Sequence, residues 1–168
     1  ESLYQAFSQG QPSPLADLEV QYADYAQWQR NWLQGEVLQA EIDYWKQKLE
    51  GAPTLLELGS DRQRQLLRTL RSTHEPVVFS EEVSSSLRKF SREQGASLFM
   101  TMMAGFHALL RRYTGDTDIL VGTPIAGRTR VEVEPLIGFF VNMIPIRTSF
   151  SENPSFRELV KQVRESSF

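Results

Sequence analysis

The 168-residue chain contains no cysteine. Disulfides, thiolate metal sites and a cysteine nucleophile are therefore excluded, and a reducing compartment is compatible. Histidine is almost as scarce. His74 falls in a polar connector and His107 late in an apolar helical pattern. Neither has a second histidine or an ordered carboxylate at ligand spacing, so no metal site is expected. No G-x-S-x-G elbow, P-loop or G-x-G-x-x-G occurs. The serines have no visible base partner, and the pairs Glu81/Glu82 and Glu132/Glu134 read as a helix cap and a surface loop. No apolar run approaches the roughly 20 residues that span a bilayer, and no secretory signal is visible. A cytoplasmic location is expected. A net charge of -3 and a pI near 5.5 give no electrostatic reason to expect nucleic acid or an anionic membrane as partner. With no recognisable general base, the chain reads as scaffold and binding wall, not as a reaction centre.

What is present is a core. Hydrophobic residues make up 40% and charged residues 23%, the balance of an ordered globular chain. Leu3, Tyr4 and Phe7 stand at helical spacing before Gly10, as the last turns of a helix begun upstream. The chain as a whole reads as a segment of a longer one. Residues 11–20, with Pro12 and Pro14, form a loop. Tyr22, Tyr25, Trp28 and Trp32 then make one aromatic helix face, expected to pack into a core. A second helix fits 37–50, with Leu38, Ile42, Trp45 and Leu49 on one side, ended by Gly51 and Pro53. Residues 52–73 are a charged connector, whose arginines 62, 64, 68 and 71 suit solvent.

"PVVF" (76–79) is a strand candidate. Ser80 caps a helix with Val83, Leu87 and Phe90 inward, and Gly95 closes it. Ser97 caps the next, which is apolar on nearly every side over 98–106 and so expects neighbours all round. His107 on that helix is expected to be a packed, hydrogen-bonded core residue. Arg111, Arg112 and Gly115 suit its exit. Residues 118–127 and 136–150 read as inner strands, and Asn153-Pro154 as a helix start with Phe156, Leu159, Val160 and Val163 inward. Strands alternating with helices give the class α/β or α+β.

Several stretches together are far more specific than any one. "YADYAQWQ" (22–29) resembles the Y-x-D-Y-A-x-W motif of nonribosomal peptide synthetase condensation domains. "IGFFVNMIPIR" (137–147) resembles their I-G-x-F-V-N-T-x-x-x-R motif, with Met143 where the family usually has Thr. "YWKQKLEGAP" (44–53), "SDRQR" (60–64), "RYTGDTDILVGTPIAGRT" (112–129) and "NPSFRELVKQVR" (153–164) match in type, order and spacing. The resemblance covers essentially the whole chain.

It implies a chloramphenicol acetyltransferase-like two-lobe fold. Residues 1–51 would be the C-terminal part of the N-lobe, 52–73 the inter-lobe connector, and 74–168 the first half of the C-lobe. Between the lobes of the family runs a tunnel. Donor and acceptor peptidyl carrier proteins deliver thioesters into it on phosphopantetheine arms, and the acceptor amine attacks the donor thioester. No directly bound cofactor is implied. An adjacent adenylation domain and the remainder of the condensation domain are the other implied partners. The family's H-H-x-x-x-D-G motif, with its reacting-centre histidine, is not in this sequence.

Implied tunnel or motif residues are Gly122, Thr123, Gly127, Arg128, Gly138, Phe140, Asn142 and Arg147. The implied structural motif is Tyr22, Asp24, Tyr25 and Trp28. Asn142 would hydrogen-bond a pantetheine amide, a substrate carbonyl or neighbouring backbone, or it only ties strands together. A partnerless buried amide would cost roughly 1–3 kcal/mol, so partners are expected. Arg128 is expected to pair with a buried carboxylate, with direct substrate contact as the alternative. Pro145, without an N–H, fits an edge or bulge. An epimerization or heterocyclization segment, or a silent carrier-docking scaffold, are the alternative readings.

Overall fold

The structure is a computed structural model and describes residues 1–59 and 73–167. Helices and one two-stranded ribbon alternate along the chain, giving an α+β protein. The order is α1 (Ser2–Ser8), α2 (Tyr22–Trp32), α3 (Gly35–Leu49), α4 (Glu81–Glu93), α5 (Leu98–Thr114), β1 (Asp118–Ile125), a 3-10 turn (Val131–Val133), β2 (Asn142–Ser149) and α6 (Phe156–Ser166). Helix starts follow local chemistry. The Ser80 hydroxyl accepts from the Val83 N–H, and the Ser97 hydroxyl from the Met100 N–H at 3.1 Å. Each satisfies a donor that the first helical turn cannot. Gly115, at φ 80°, ends α5 in the left-handed conformation that a side chain disfavours.

The chain forms two compact units. One comprises Glu1–Glu50 with Ile125–Asn142, the other Gly51–Pro124 with Met143–Phe168. In the second unit, α5 packs against α4 and α6. Ala104, Ile146, Leu159, Val160 and Val163 are its buried centre, with Phe90, Met100, Met103 and Ile144 around them. Polar ties fix the packing. Ser91 and Thr101 share a buried hydroxyl pair at 2.8 Å. Gln162 of α6 accepts from the Ser149 N–H at 2.8 Å and donates to the Ser149 carbonyl at 3.1 Å.

The register of the ribbon explains its prolines. The Phe150 N–H donates to the Thr117 carbonyl at 2.7 Å, at the end opposite the 126–141 connection, so the pair is antiparallel. Groups facing the partner strand alternate along each strand. Ser149, one residue before Phe150, bonds outward to Gln162. Pro145, four residues before Ser149, also faces outward. By the same alternation Pro124 faces outward on β1. Neither removes a bond from the ladder, which is the edge placement that the missing N–H requires.

Four expectations change. Residues 76–79 are extended but unpaired, and Val77 and Val78 are 77% and 89% exposed. A strand needs a ladder partner, and none of the described residues supplies one. The second strand starts at Asn142, not 136, and the first ends at Ile125. Helix α6 is capped by Ser155, whose hydroxyl accepts from the Glu158 N–H, while Asn153 takes φ 50° before it. The aromatic face of α2 is only partly covered, with Trp28 39% and Trp32 49% exposed. The 60–64 motif and arginines 62, 64, 68 and 71 lie outside the described residues, as does most of the 52–73 connector.

Candidate functional site

Between β1 and β2 the chain makes a strap, residues 126–141, that folds onto α2 within the first unit. The strap has little regular structure, so side chains and glycines hold it. Val133, Leu136 and Phe140 are buried, with Val20, Tyr22 and Tyr25 packed against them. Phe140 is the keystone. It meets Tyr22 edge-on at 5.1 Å between ring centres and Tyr25 at 4.8 Å. Such ring geometries add to simple burial. The Tyr22 hydroxyl donates to the Phe139 carbonyl at 2.9 Å.

Two glycines make the fit possible. At Gly138 a Cβ would lie 2.7 Å from Tyr22 Cγ, in steric overlap with the ring. Gly127 has φ 66°, and its Cβ would overlap the Phe140 carbonyl. Only a residue without a side chain meets both demands there.

Arg128 departs from expectation. Its guanidinium sits 4.1 Å over the Phe140 ring and donates to the carbonyls of Val133 and of Glu134, the latter at 3.2 Å. Main-chain oxygens and a ring face, not a buried carboxylate, are its partners among the described residues. It therefore closes the strap on itself. Asp24 accepts from the Gln21 N–H at 2.8 Å and caps α2. Trp28 stacks on Trp32 with rings 4° from parallel, under the Arg130 guanidinium at 4.8 Å. Val20, Tyr25, Trp28 and Val133 line an apolar cavity of about 270 Å³.

The strap ends at Asn142, the first residue of β2. Its side chain is exposed and lies over Gly127, 3.8 Å from where a Cβ would stand. It has no hydrogen-bond partner among the described residues. The expected burial does not hold, so no desolvation cost attaches to a free amide here. What the strap presents is a primary amide, able to donate and accept at once, on a backbone fixed by Phe140.

Three sequence-identified residues belong to the second unit. Thr123 is buried on β1, and a Cβ on Gly122 would be 3.3 Å from the Met143 methyl. Met143 thus lies across β1 where the family usually has a shorter Thr. Arg147 pairs with Asp118, Nη2 to Oδ2 at 2.6 Å and Nε to Oδ1 at 3.0 Å. That hydrogen-bonded carboxylate raises the Arg147 pKa further and makes the residue a cross-strand tie. Asp118 was not singled out in the sequence, because only strand register brings it to Arg147. Thr148 was missed because only the packing of α5 on β2 brings it to His107. Its hydroxyl lies 2.7 Å from His107 Nδ1, and His107 is fully buried, as expected of a core residue. Burial lowers the His107 pKa to about 4, so the ring is neutral. No cluster of metal-ligating side chains occurs among the described residues.

The family model for the condensation domain matches residues 1–168. One of the linear gramicidin synthase proteins of Brevibacillus parabrevis is 51% identical over 99% of this chain, which spans 3% of that protein. Phosphinothricin tripeptide synthetase PhsC of Streptomyces viridochromogenes is 37% identical over 98% of the chain, spanning 15% of that protein. Among solved structures, the X-domain from teicoplanin biosynthesis superimposes with a TM-score of 0.88 at 29% identity. That match covers 98% of this chain and 38% of the X-domain chain. The chain belongs to the condensation-domain family, of the kind found in nonribosomal peptide synthetases. It spans a small fraction of the synthetases it matches.

Proposed function

We propose that this chain is part of a condensation domain that forms a peptide bond between two carrier-bound thioesters, and that its strap supplies a substrate-facing wall. The donor and acceptor would arrive on the phosphopantetheine arms of peptidyl carrier proteins, next to an adenylation domain, in a cytoplasmic synthetase. In that reaction the acceptor amine forms a C–N bond to the donor carbonyl. The donor C–S bond breaks, the donor arm leaves as its thiol, and the amine proton passes to a base. His107 is buried and neutral, so it is unsuited to be that base. Isolated, residues 1–168 are expected to turn over nothing.

The observation that carries the proposal is the exposed, unpartnered Asn142 amide at the end of a strap locked by Phe140 and Tyr22. A pantetheine arm carries two amides, and Asn142 is suited to pair with one of them or with a substrate carbonyl. The test is Asn142→Ala in a complete condensation domain containing these residues. Product formation should fall by about tenfold, the loss of roughly one hydrogen bond to a substrate, with unchanged melting. Unchanged turnover would remove Asn142 from the site. Peptide formation by residues 1–168 alone would overturn the assignment of the chemistry to the rest of the domain.

A further inference from the structure

Helix α6 carries Arg157, Lys161 and Arg164 at spacings of four and three, so the three cations share one face. The end of α4 holds two of them in place. Arg157 lays its guanidinium over the Phe90 ring, 5.6 Å from the ring centre, and Phe90 is itself stacked on Phe156. Arg164 donates to the Gln94 carbonyl at 3.2 Å. Gly95, next in the chain, leaves room for it, since a Cβ there would stand 3.3 Å from Arg164 Nη1.

Between these groups lies a cleft of about 230 Å³, lined by Gln94, Arg157, Glu158, Lys161 and Arg164. Pockets for whole drug-sized ligands begin at roughly 300 Å³, so this one suits a small group. The charges of its lining do not cancel. Glu158 is the one carboxylate there, and it is turned to Ser155, accepting from the N–H at 2.6 Å and the hydroxyl at 2.8 Å. Among the described residues, neither Arg157 nor Arg164 pairs with a carboxylate. Lys161 has a long contact of 3.9 Å to Glu165, with both side chains mostly exposed.

Most charged helix faces meet water with loose side chains. Here a ring and a carbonyl already fix the two guanidiniums, so little freedom is left to lose when an anion binds. Each guanidinium has five N–H donors. Stacking on Phe90 consumes none of Arg157's, and Gln94 takes one of Arg164's. A dianion with several acceptor oxygens answers three cations better than a single carboxylate does.

We propose that the α4–α6 cleft is an anion site that takes a phosphate group. Arg157 and Arg164 supply forked N–H donors, and Lys161 a point charge between them. The site lies in the second unit alone, and the inference is independent of Asn142 and of the reaction the domain performs. The phosphate reaches it either as the free ion or on a phosphopantetheine arm.

The test is a titration of inorganic phosphate into a complete condensation domain containing these residues. Ionic strength is held constant with chloride, and the arginine side-chain N–H signals are followed by NMR. Saturable shifts at Arg157 and Arg164 are expected, with Arg88, which is paired to Glu81, unmoved. Arg157→Gln with Arg164→Gln should weaken binding about tenfold or more, because charge-assisted bonds are lost. Arg157→Lys should also weaken it, since an ammonium keeps the charge and loses the fork. The titration itself uses unsubstituted protein, so it decides even where the double variant fails to fold. Tighter binding of phosphopantetheine than of phosphate would support the site and assign it to a carrier arm. Equal affinities would support it and assign it to the free ion. No saturable shift at either arginine, or an affinity unchanged in the double variant, would overturn the proposal.

Discussion

The two units are held by different means. In the second, regular elements bury aliphatic side chains, and Ile146, Val160 and Val163 are at most 1% exposed. Its polar groups reinforce that packing through Ser91–Thr101, His107–Thr148 and Gln162–Ser149. In the first, no residue of α2 or α3 is fully buried. Order there comes from an irregular strap whose ring contacts, carbonyl bonds and glycines interlock on Tyr22 and Tyr25. A helix–sheet core loses stability with the apolar contact removed, because it repacks only partly around the space left. An interlock built on close approach has fewer ways to adjust. Under the proposed function, a strap that holds one amide in one place is suited to the second kind of construction.

The contrast yields an ordered set of expectations. Ile146→Ala should have the largest effect, about 3–4 kcal/mol, because it removes a fully buried side chain from the centre of the second unit. Denaturant unfolding followed by exchange in α5 and α6 checks it; a loss under 1 kcal/mol would mean this core is loosely packed.

Acid should act on the same unit. His107 falls from 6.5 to about 4 on burial, so the folded state keeps the ring neutral while the unfolded chain binds a proton. Stability is then full above pH 6.5 and declines as the pH drops toward 4, by up to about 3 kcal/mol. His107→Gln should flatten the profile between those values, and a wild-type profile already flat there would refute the neutral buried ring.

Gly127→Ala should cost roughly 2 kcal/mol, from the side chain at positive φ and its overlap with the Phe140 carbonyl. Its effect should stay in the strap, as read by exchange of residues 126–142. The smallest change should come from Tyr22→Phe, which deletes the bond to the Phe139 carbonyl at about 1 kcal/mol and keeps the ring contacts.

Much of the second unit was legible because its signals are local. Ser80 and Ser97 announce their helices, and Gly115 ends α5. On α6, Leu159, Val160 and Val163 are buried as their spacing implies, while Phe156, expected inward with them, stays 39% exposed. The errors were of another kind. Residues 136–141 have the composition of a strand, but Phe140 turns into a ring cluster with Tyr22 and Tyr25, more than 110 residues earlier, and no local pattern encodes that. Residues 76–79 have strand composition too, yet pairing depends on a partner strand that composition does not supply. Asn142 stands inside an apolar run, which suggested burial; it is exposed because the run there is the junction of strap and strand. Arg128 looked like a carboxylate partner, while the strap's own carbonyls were closer to hand. The motif residues were named from the resemblance, but their contacts became readable only in three dimensions.

The most direct test of the interlock is amide exchange across residues 126–142, in the wild type and in Gly127→Ala, with α5 and α6 as internal reference. The strap should lose protection in the variant while both helices keep theirs, because the glycine acts only where it meets Phe140. Unchanged protection in the strap, or equal loss in the helices, would contradict the account of a strap fixed locally by its own close contacts.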